Sequence, residues 1–311
     1  MADEFIIFTG TANSRLAVNV AREVGVQLGA RAVERFPDGE ISVWLDEPVR
    51  GREVFIVQPT SPPVNEHLVE LLAFADACRR ASAAHVTAII PYFGYARSDK
   101  RHGRREPIMA SMVADLIQAV GVNHVVTIDL HTPQIEGFFR IPVDSLTATE
   151  TLCRHLSGRL PPGAVVVSPD VGRVEMASAF AHLLGTSVVV LHKRRESGME
   201  TEITHLVGDV RGRACLIVDD MISTGGTVGK SVEALLEAGA REEIIVAATH
   251  GLFIDGAKEF LRRAGVSEVI VTDTVARSDD LWPELRVVSI APLLAAAIRR
   301  FMADGSLGDL R

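Results

Sequence analysis

Between Cys215 and Ser231 the chain reads CLIVDDMISTGGTVGKS, and this stretch constrains the fold more than any other. The apolar run Cys215 to Val218 has the character of a buried parallel strand. Two carboxylates, Asp219 and Asp220, close it. Ser223, Thr224, Gly225, Gly226 and Thr227 then lead into a helical segment from Val228 to Glu237. Small residues let backbone N–H groups approach an anion, and the helix N-terminus adds a favourable dipole. Carboxylates beside such a cradle suit a sugar phosphate, with ribose hydroxyls and Mg²⁺ on the acidic side. The plainer alternative is a strand, an acidic turn and a capped helix. A Walker A loop is excluded: Gly229-Lys230-Ser231 would require its first glycine at Thr224.

Strands alternate with helices along the rest of the chain, which argues for α/β architecture with a parallel sheet. Strands are expected at 5–8, 31–36, 41–45, 53–57, 86–91 and 125–129. Helices are expected at 14–28, 66–81 and 108–120. The second half repeats the scheme, with strands at 165–167, 187–191, 244–249, 268–272 and 287–290 and helices at 173–184 and 292–302. Phe55 to Leu72, FIVQPTSPPVNEHLVELL, also lines up with Leu216 to Leu236, LIVDDMISTGGTVGKSVEALL. One α/β unit used twice accounts for this, with the acidic phosphate loop working only in the second copy.

A length of 311 residues suits two domains of ordinary size. With 47% hydrophobic and 23% charged residues the chain has the makings of real cores. A net charge of −8 gives no global support to nucleic-acid binding. Cys78, Cys153 and Cys215 are scattered and odd in number, which fits a reducing compartment. The acidic start MADEFIIFTG lacks a signal-peptide pattern and no apolar run reaches membrane-spanning length, so a cytoplasmic protein without membrane partners is expected.

Other stretches carry candidate chemistry. Ile89 to Pro107 runs from a strand into two tyrosines and a basic cluster, with Arg97 placed to pair with phosphate oxygens. Phe36, Asp38, Gly39 and Glu40 form a turn whose ring and carboxylates suit a purine and its ribose. His131 and Asp170, each just past a strand, are candidates for Mg²⁺. Lys193 and Arg195 open a polar stretch, 193–208, without core periodicity, which reads as a lid bringing positive charge to a polyphosphate.

Together FPDGE, NEHLVELLAFADACRRASAAHVTAIIPYFGYAR, REPI, TIDLHTPQIEGFF, IPVDSL, VVVSPDVG, KRR and VDDMISTGGT resemble the ribose-phosphate pyrophosphokinase family over almost the whole chain. The resemblance implies two tandem type I phosphoribosyltransferase-like domains, 1–146 on the ATP side and 147–311 on the ribose 5-phosphate side. It implies ATP contacts from Phe36, Asp38, Gly39, Glu40, Arg97 and Ser98, and Mg²⁺ at His131 and Asp170. Lys193 and Arg195 would act on the transferred group. Arg195, Asp219, Asp220 and Ser223 to Thr227 would hold ribose 5-phosphate. The implied product is the sugar 1-diphosphate with AMP, and the implied assembly is a homo-oligomer, usually a hexamer built from dimers. Ser98 stands where the family usually has Gln, Ser111 replaces a Lys, and Ser223 replaces an Asp common in bacterial members. The basic loop at 100–105 also differs from the common pattern, so the resemblance leaves phosphate activation and ADP inhibition open. A phosphoribosyltransferase would share VDDMISTGGT but normally be one unit. A non-catalytic regulatory relative would keep the fold while losing lid or metal residues.

Overall fold

The computed structural model describes residues 5–101, 103–195, 201–254, 256–277 and 282–311, without the side chains of 193–195 and 201–204. Two compact units emerge: 1–147 with 274–276 and 289–311, and 148–273 with 277–288.

Unit 1 contains β1 (Phe5–Thr9), α1 (Ser14–Val24), β2 (Arg31–Arg35), β3 (Ile41–Leu45), β4 (Glu53–Val57), α2 (Val64–Arg80), β5 (His85–Ile90), α3 (Met109–Ala119), β6 (His124–Ile128) and β7 (Val143–Leu146). Its sheet has the order β1-β4-β5-β6-β7, every pair parallel. The central strands are buried on both faces, as helix-covered parallel strands must be. Phe8, Ile56, Phe74, Ile90 and Ile117 lie at the heart of the core. β2 and β3 stand apart as an antiparallel ribbon, packed on α2.

Unit 2 contains α4 (Thr149–Leu156), β8 (Val165–Ser168), α5 (Val174–Leu184), β9 (Ser187–Arg195), β10 (Thr201–Val207), β11 (Cys215–Ile222), α6 (Gly226–Glu237), β12 (Ile244–Gly251), α7 (Ala257–Arg263), β13 (Val266–Thr272) and β14 (Leu285–Val288). The sheet order is β10-β9-β8-β11-β12-β13-β14, parallel except for the β9–β10 pair. The run β8-β11-β12-β13-β14 repeats the order of unit 1 strand for strand. β4 and β11 each hold the second place, as their sequence similarity suggests.

Two expectations need correcting. The stretch 193–208 is not an open polar segment over its described part: β9 continues to Arg195 and pairs with β10, Lys193 facing Ile203 and Arg195 facing Thr201. Main-chain hydrogen bonds carry the polar half of β9 into this hairpin, and a register shift between Ile203 and His205 breaks the alternation that would have signalled it. The lid residues 196–200 lie outside the described residues.

The chain also does not divide cleanly at 146. The final helix, α8 (Ala291–Phe301), belongs to unit 1. Ala291, Leu294, Ala295 and Ile298 recur at helical spacing and are buried, and α8 packs on α1. Arg299 Nη1 donates to the Glu23 carbonyl at 2.8 Å, Thr147 N to the Leu310 carbonyl at 2.9 Å, and Arg311 Nη2 to Asp144 Oδ1 at 2.7 Å.

Candidate active site

In unit 2 the chain leaves β8 for β9 on one side, while β11 lies on the other. The crevice outside the carboxyl ends of β8 and β11 is therefore a topological switch point, where open α/β sheets bind ligands. Asp170 lies just beyond β8, and Asp219 and Asp220 lie within β11, which runs on to Ile222 rather than ending at Val218.

Both carboxylates are buried, Asp219 at 9% and Asp220 at 2% exposure, so they need compensation. Arg173 supplies it from the 3₁₀ turn that follows Asp170: Nε donates to Asp219 Oδ1 at 3.1 Å, and Nη2 lies 2.9 Å from Asp220 Oδ1. The Asp220 N–H donates to Asp219 Oδ1 at 2.9 Å. Burial pushes the Asp219 carboxyl well above its ordinary pKa, the charge of Asp220 pushes the same way, and Arg173 opposes both. Sequence reasoning missed Arg173. Its signal was an arginine three residues after the strand-end aspartate, but the pairing across 46 positions exists only in the folded sheet.

After β11 the loop Ser223 to Thr227 turns into α6. Gly225 takes φ 82°, and no side chain caps the helix. Gly226 N reaches only a long contact to Thr224 Oγ1, at 3.5 Å, so the first turn of this 12-residue helix keeps N–H groups for an anion. Thr224 and Thr227 are exposed and Ser223 is half-buried, so hydroxyl donors flank those N–H groups. Gly229, Lys230 and Ser231 are helical, with Ser231 Oγ donating to the Thr227 carbonyl at 2.9 Å. The backbones of Lys193 and Arg195 lie in β9, and their side chains are outside the described residues.

In unit 1 a cavity of about 540 Å³ is lined by Asn65, Glu66, Tyr92, Tyr95, Arg97 and Ser98 among others. Arg97 is exposed at its wall. Ser98 anchors the start of α3: its Oγ accepts from Met109 N at 3.3 Å and its carbonyl from Ala110 N at 3.1 Å. Asp99, also unanticipated, is buried and accepts from Thr132 Oγ1 at 2.8 Å and Gln134 Nε2 at 2.6 Å. It ties the loop of Arg97 to the loop of His131, which is half-buried just past β6.

Phe36 to Glu40 form the exposed tip of the β2–β3 ribbon. Phe36 N donates to the Glu40 carbonyl at 2.9 Å, and Asp38 Oδ1 accepts from Glu40 N at 3.1 Å. Arg35, next to Phe36, pairs with Glu66 of the cavity wall.

Where β11 follows its apolar run with carboxylates, β4 leads to Gln58, whose side chain is spent internally. Its Oε1 accepts from Ala12 N at 3.1 Å and its Nε2 donates to the His67 carbonyl at 3.3 Å. The first copy of the repeat thus closes its strand end with buried polar contacts instead of opening it to a sugar phosphate.

Among the described residues, no cluster of three or more His, Cys, Asp and Glu side chains forms a cage for a metal. Asp170 offers hard carboxylate oxygens at the strand end. That donor suits Mg²⁺, which typically takes one or two protein carboxylates and completes its shell with water and substrate phosphates.

A parallel sheet whose acidic strand end turns straight into a helix N-terminus without a side-chain cap is the type I phosphoribosyltransferase-like architecture. This chain holds the strand order twice, with the acidic loop in the second copy. Residues 5–121 match the model for the N-terminal domain of ribose phosphate pyrophosphokinase, and 199–311 match the phosphoribosyl synthetase-associated domain. A ribose-phosphate pyrophosphokinase of Chromobacterium violaceum is 45% identical over 311 residues, 99% of this chain and 95% of the relative. One from Thermotoga maritima is 44% identical over 312 residues, 99% and 98% of the two chains. The crystal structure of phosphoribosylpyrophosphate synthetase from Mycobacterium smegmatis superposes with TM-score 0.90 at 43% identity, over 97% of this chain and 100% of that one. The chain belongs to the ribose-phosphate pyrophosphokinase family and is an enzyme of the transferase class.

Proposed function

We propose that this chain transfers the β,γ-diphosphoryl group of ATP to the 1-hydroxyl of ribose 5-phosphate, giving 5-phospho-α-D-ribose 1-diphosphate and AMP. The observation that carries this is the Arg173-braced acid pair running into the open N-terminus of α6 at the switch point of unit 2. The 5-phosphate sits on the N–H groups and hydroxyls of Ser223 to Thr227, and Asp219 and Asp220 accept hydrogen bonds from ribose hydroxyls. Arg97 and Ser98, with Phe36, Asp38, Gly39 and Glu40, bind ATP in unit 1.

The ribose 1-oxygen forms a bond to the β-phosphorus as the bond to the α,β-bridging oxygen breaks. AMP takes the electron pair, and the hydroxyl proton is released. Such a transfer depends on in-line positioning and on neutralising charge. Lys193 and Arg195 supply fixed positive charge to the diphosphoryl oxygens. His131 in unit 1 and Asp170 in unit 2 would each offer a ligand to Mg²⁺, which when bound would neutralise phosphate charge and polarise the transferred group. A homo-oligomer built from dimers belongs to the same reading, and sedimentation velocity tests it.

The direct experiment mixes protein, ATP, ribose 5-phosphate and Mg²⁺ and follows AMP and the sugar diphosphate. Formation of the two in equal amounts is expected; a well-folded sample giving neither would favour a non-catalytic relative. Lys193→Ala should lower turnover by at least about 10²-fold, the scale of one lost transition-state donor. Near-normal turnover would remove Lys193 from the mechanism.

A further inference from the structure

In unit 2, Arg277 lies in an aromatic cage beyond the site already described. Its Cζ is 4.4 Å from the Phe253 ring centroid and 5.3 Å from that of Trp282. The two rings meet edge to face, 4.9 Å apart at 88°. Among the described residues Arg277 Nε is buried without a hydrogen-bond partner, and the two ring faces lie against its guanidinium. Burial lowers the Arg277 pKa from the usual arginine value, although a guanidinium keeps its proton under ordinary conditions.

Phe253 is what this cation grips, and Phe253 is held in an unusual backbone conformation. Its φ is 44°, in the left-handed region that a bulky residue rarely occupies. The ring lies over Gly251, where an added Cβ would collide with it. From this position the segment 252–254 braces the phosphate loop. Leu252 N and Phe253 N donate to the Ile222 carbonyl at 2.9 and 3.1 Å, and Ile254 N donates to the Ser223 carbonyl at 3.1 Å. Ile222 and Ser223 are the hinge between the acid pair and the proposed 5-phosphate cradle.

The structure assigns to Arg277 the role of a positioning residue: its cation, seated on Phe253 and Trp282, holds the 252–254 segment against Ile222 and Ser223 and so sets the geometry of the sugar-phosphate loop. This rests on the proposed function for the identity of the ligand. The cation acts through Phe253 and touches no substrate, and its effect is confined to the ribose 5-phosphate side.

Arg277→Met, Arg277→Lys and wild type separate charge from bulk. The Met variant should raise KM for ribose 5-phosphate about tenfold, leaving KM for ATP unchanged, and Lys, which keeps a cation over the rings, should restore most of the loss. A Met variant indistinguishable from wild type, or equal rises in both KM values without rescue by Lys, would overturn the assignment. A second readout does not need turnover. The chain has 2 tryptophans, and in a Trp44→Phe background emission comes from Trp282 alone. Ribose 5-phosphate should change that emission, with the titration midpoint moving about tenfold in the Met variant. No response to the sugar phosphate, or an unmoved midpoint, counts against the role of Arg277. Absence of AMP from wild type would count against the proposed reaction and leave the fluorescence result standing.

Discussion

Asp219 and Asp220 are adjacent in sequence, both are buried, and both pair with Arg173. The Asp219 carboxyl is consequently raised, first by burial and then by its neighbour. A group whose folded pKa lies above its unfolded value is stabilising below the unfolded value and loses that contribution as pH rises through the folded one. Asp219→Asn removes this titration. The variant should therefore unfold at a higher temperature than wild type near neutral pH, with the gain shrinking as pH falls toward the ordinary carboxylate range. A tenfold difference in proton affinity corresponds to about 1.4 kcal/mol. Thermal melts across that range check it, and a gain that does not change with pH would show that Asp219 titrates normally. The carboxylate was legible from DDMISTGG. Its compensation by Arg173 was not, because an arginine following a strand–turn is common and only the adjacency of β8 and β11 brings the two together.

At the scale of elements, the cradle depends on one backbone conformation. Gly225 takes φ 82°, and a Cβ there would come within 3.2 Å of Leu261 on α7. Gly225→Ala should cost about 1–2 kcal/mol for the left-handed geometry and also raise KM for ribose 5-phosphate, since the first N–H groups of α6 turn away from the anion. Gly185→Ala is the control: it has φ 64° at the end of α5 with open space around it, so it should lower stability similarly and leave KM alone. Equal kinetics for the two variants would mean that the turn at Gly225 serves only folding. The strand–loop–helix was readable because small residues, acids and an apolar run fall in one short window. The β9–β10 hairpin was not readable as strand over its polar half, because its pairing partner is supplied by the main chain and its bulge interrupts the two-residue period.

For the whole molecule, α8 decides how the chain is partitioned. Leu294 is fully buried in a helix that sequence order assigns to the second half and packing assigns to the first. Leu294→Ala should destabilise unit 1 by about 2–5 kcal/mol, the usual range for such a cavity. Hydrogen exchange should show the loss in α1 and α8 while the amides of β11 and β12 keep their protection. Loss confined to β11 and β12 would contradict the division. The sequence by itself determined the α/β class, the use of one unit twice, most strands and helices, and the acidic phosphate loop, because each is written in local periodicity or one continuous motif. Tertiary structure alone decided which strands are neighbours, that Arg173 neutralises the acid pair, that Asp99 ties two loops, and that the last helix returns to the first unit. Those outcomes follow from burial and pairing between residues far apart in the chain, where no local pattern carries the information.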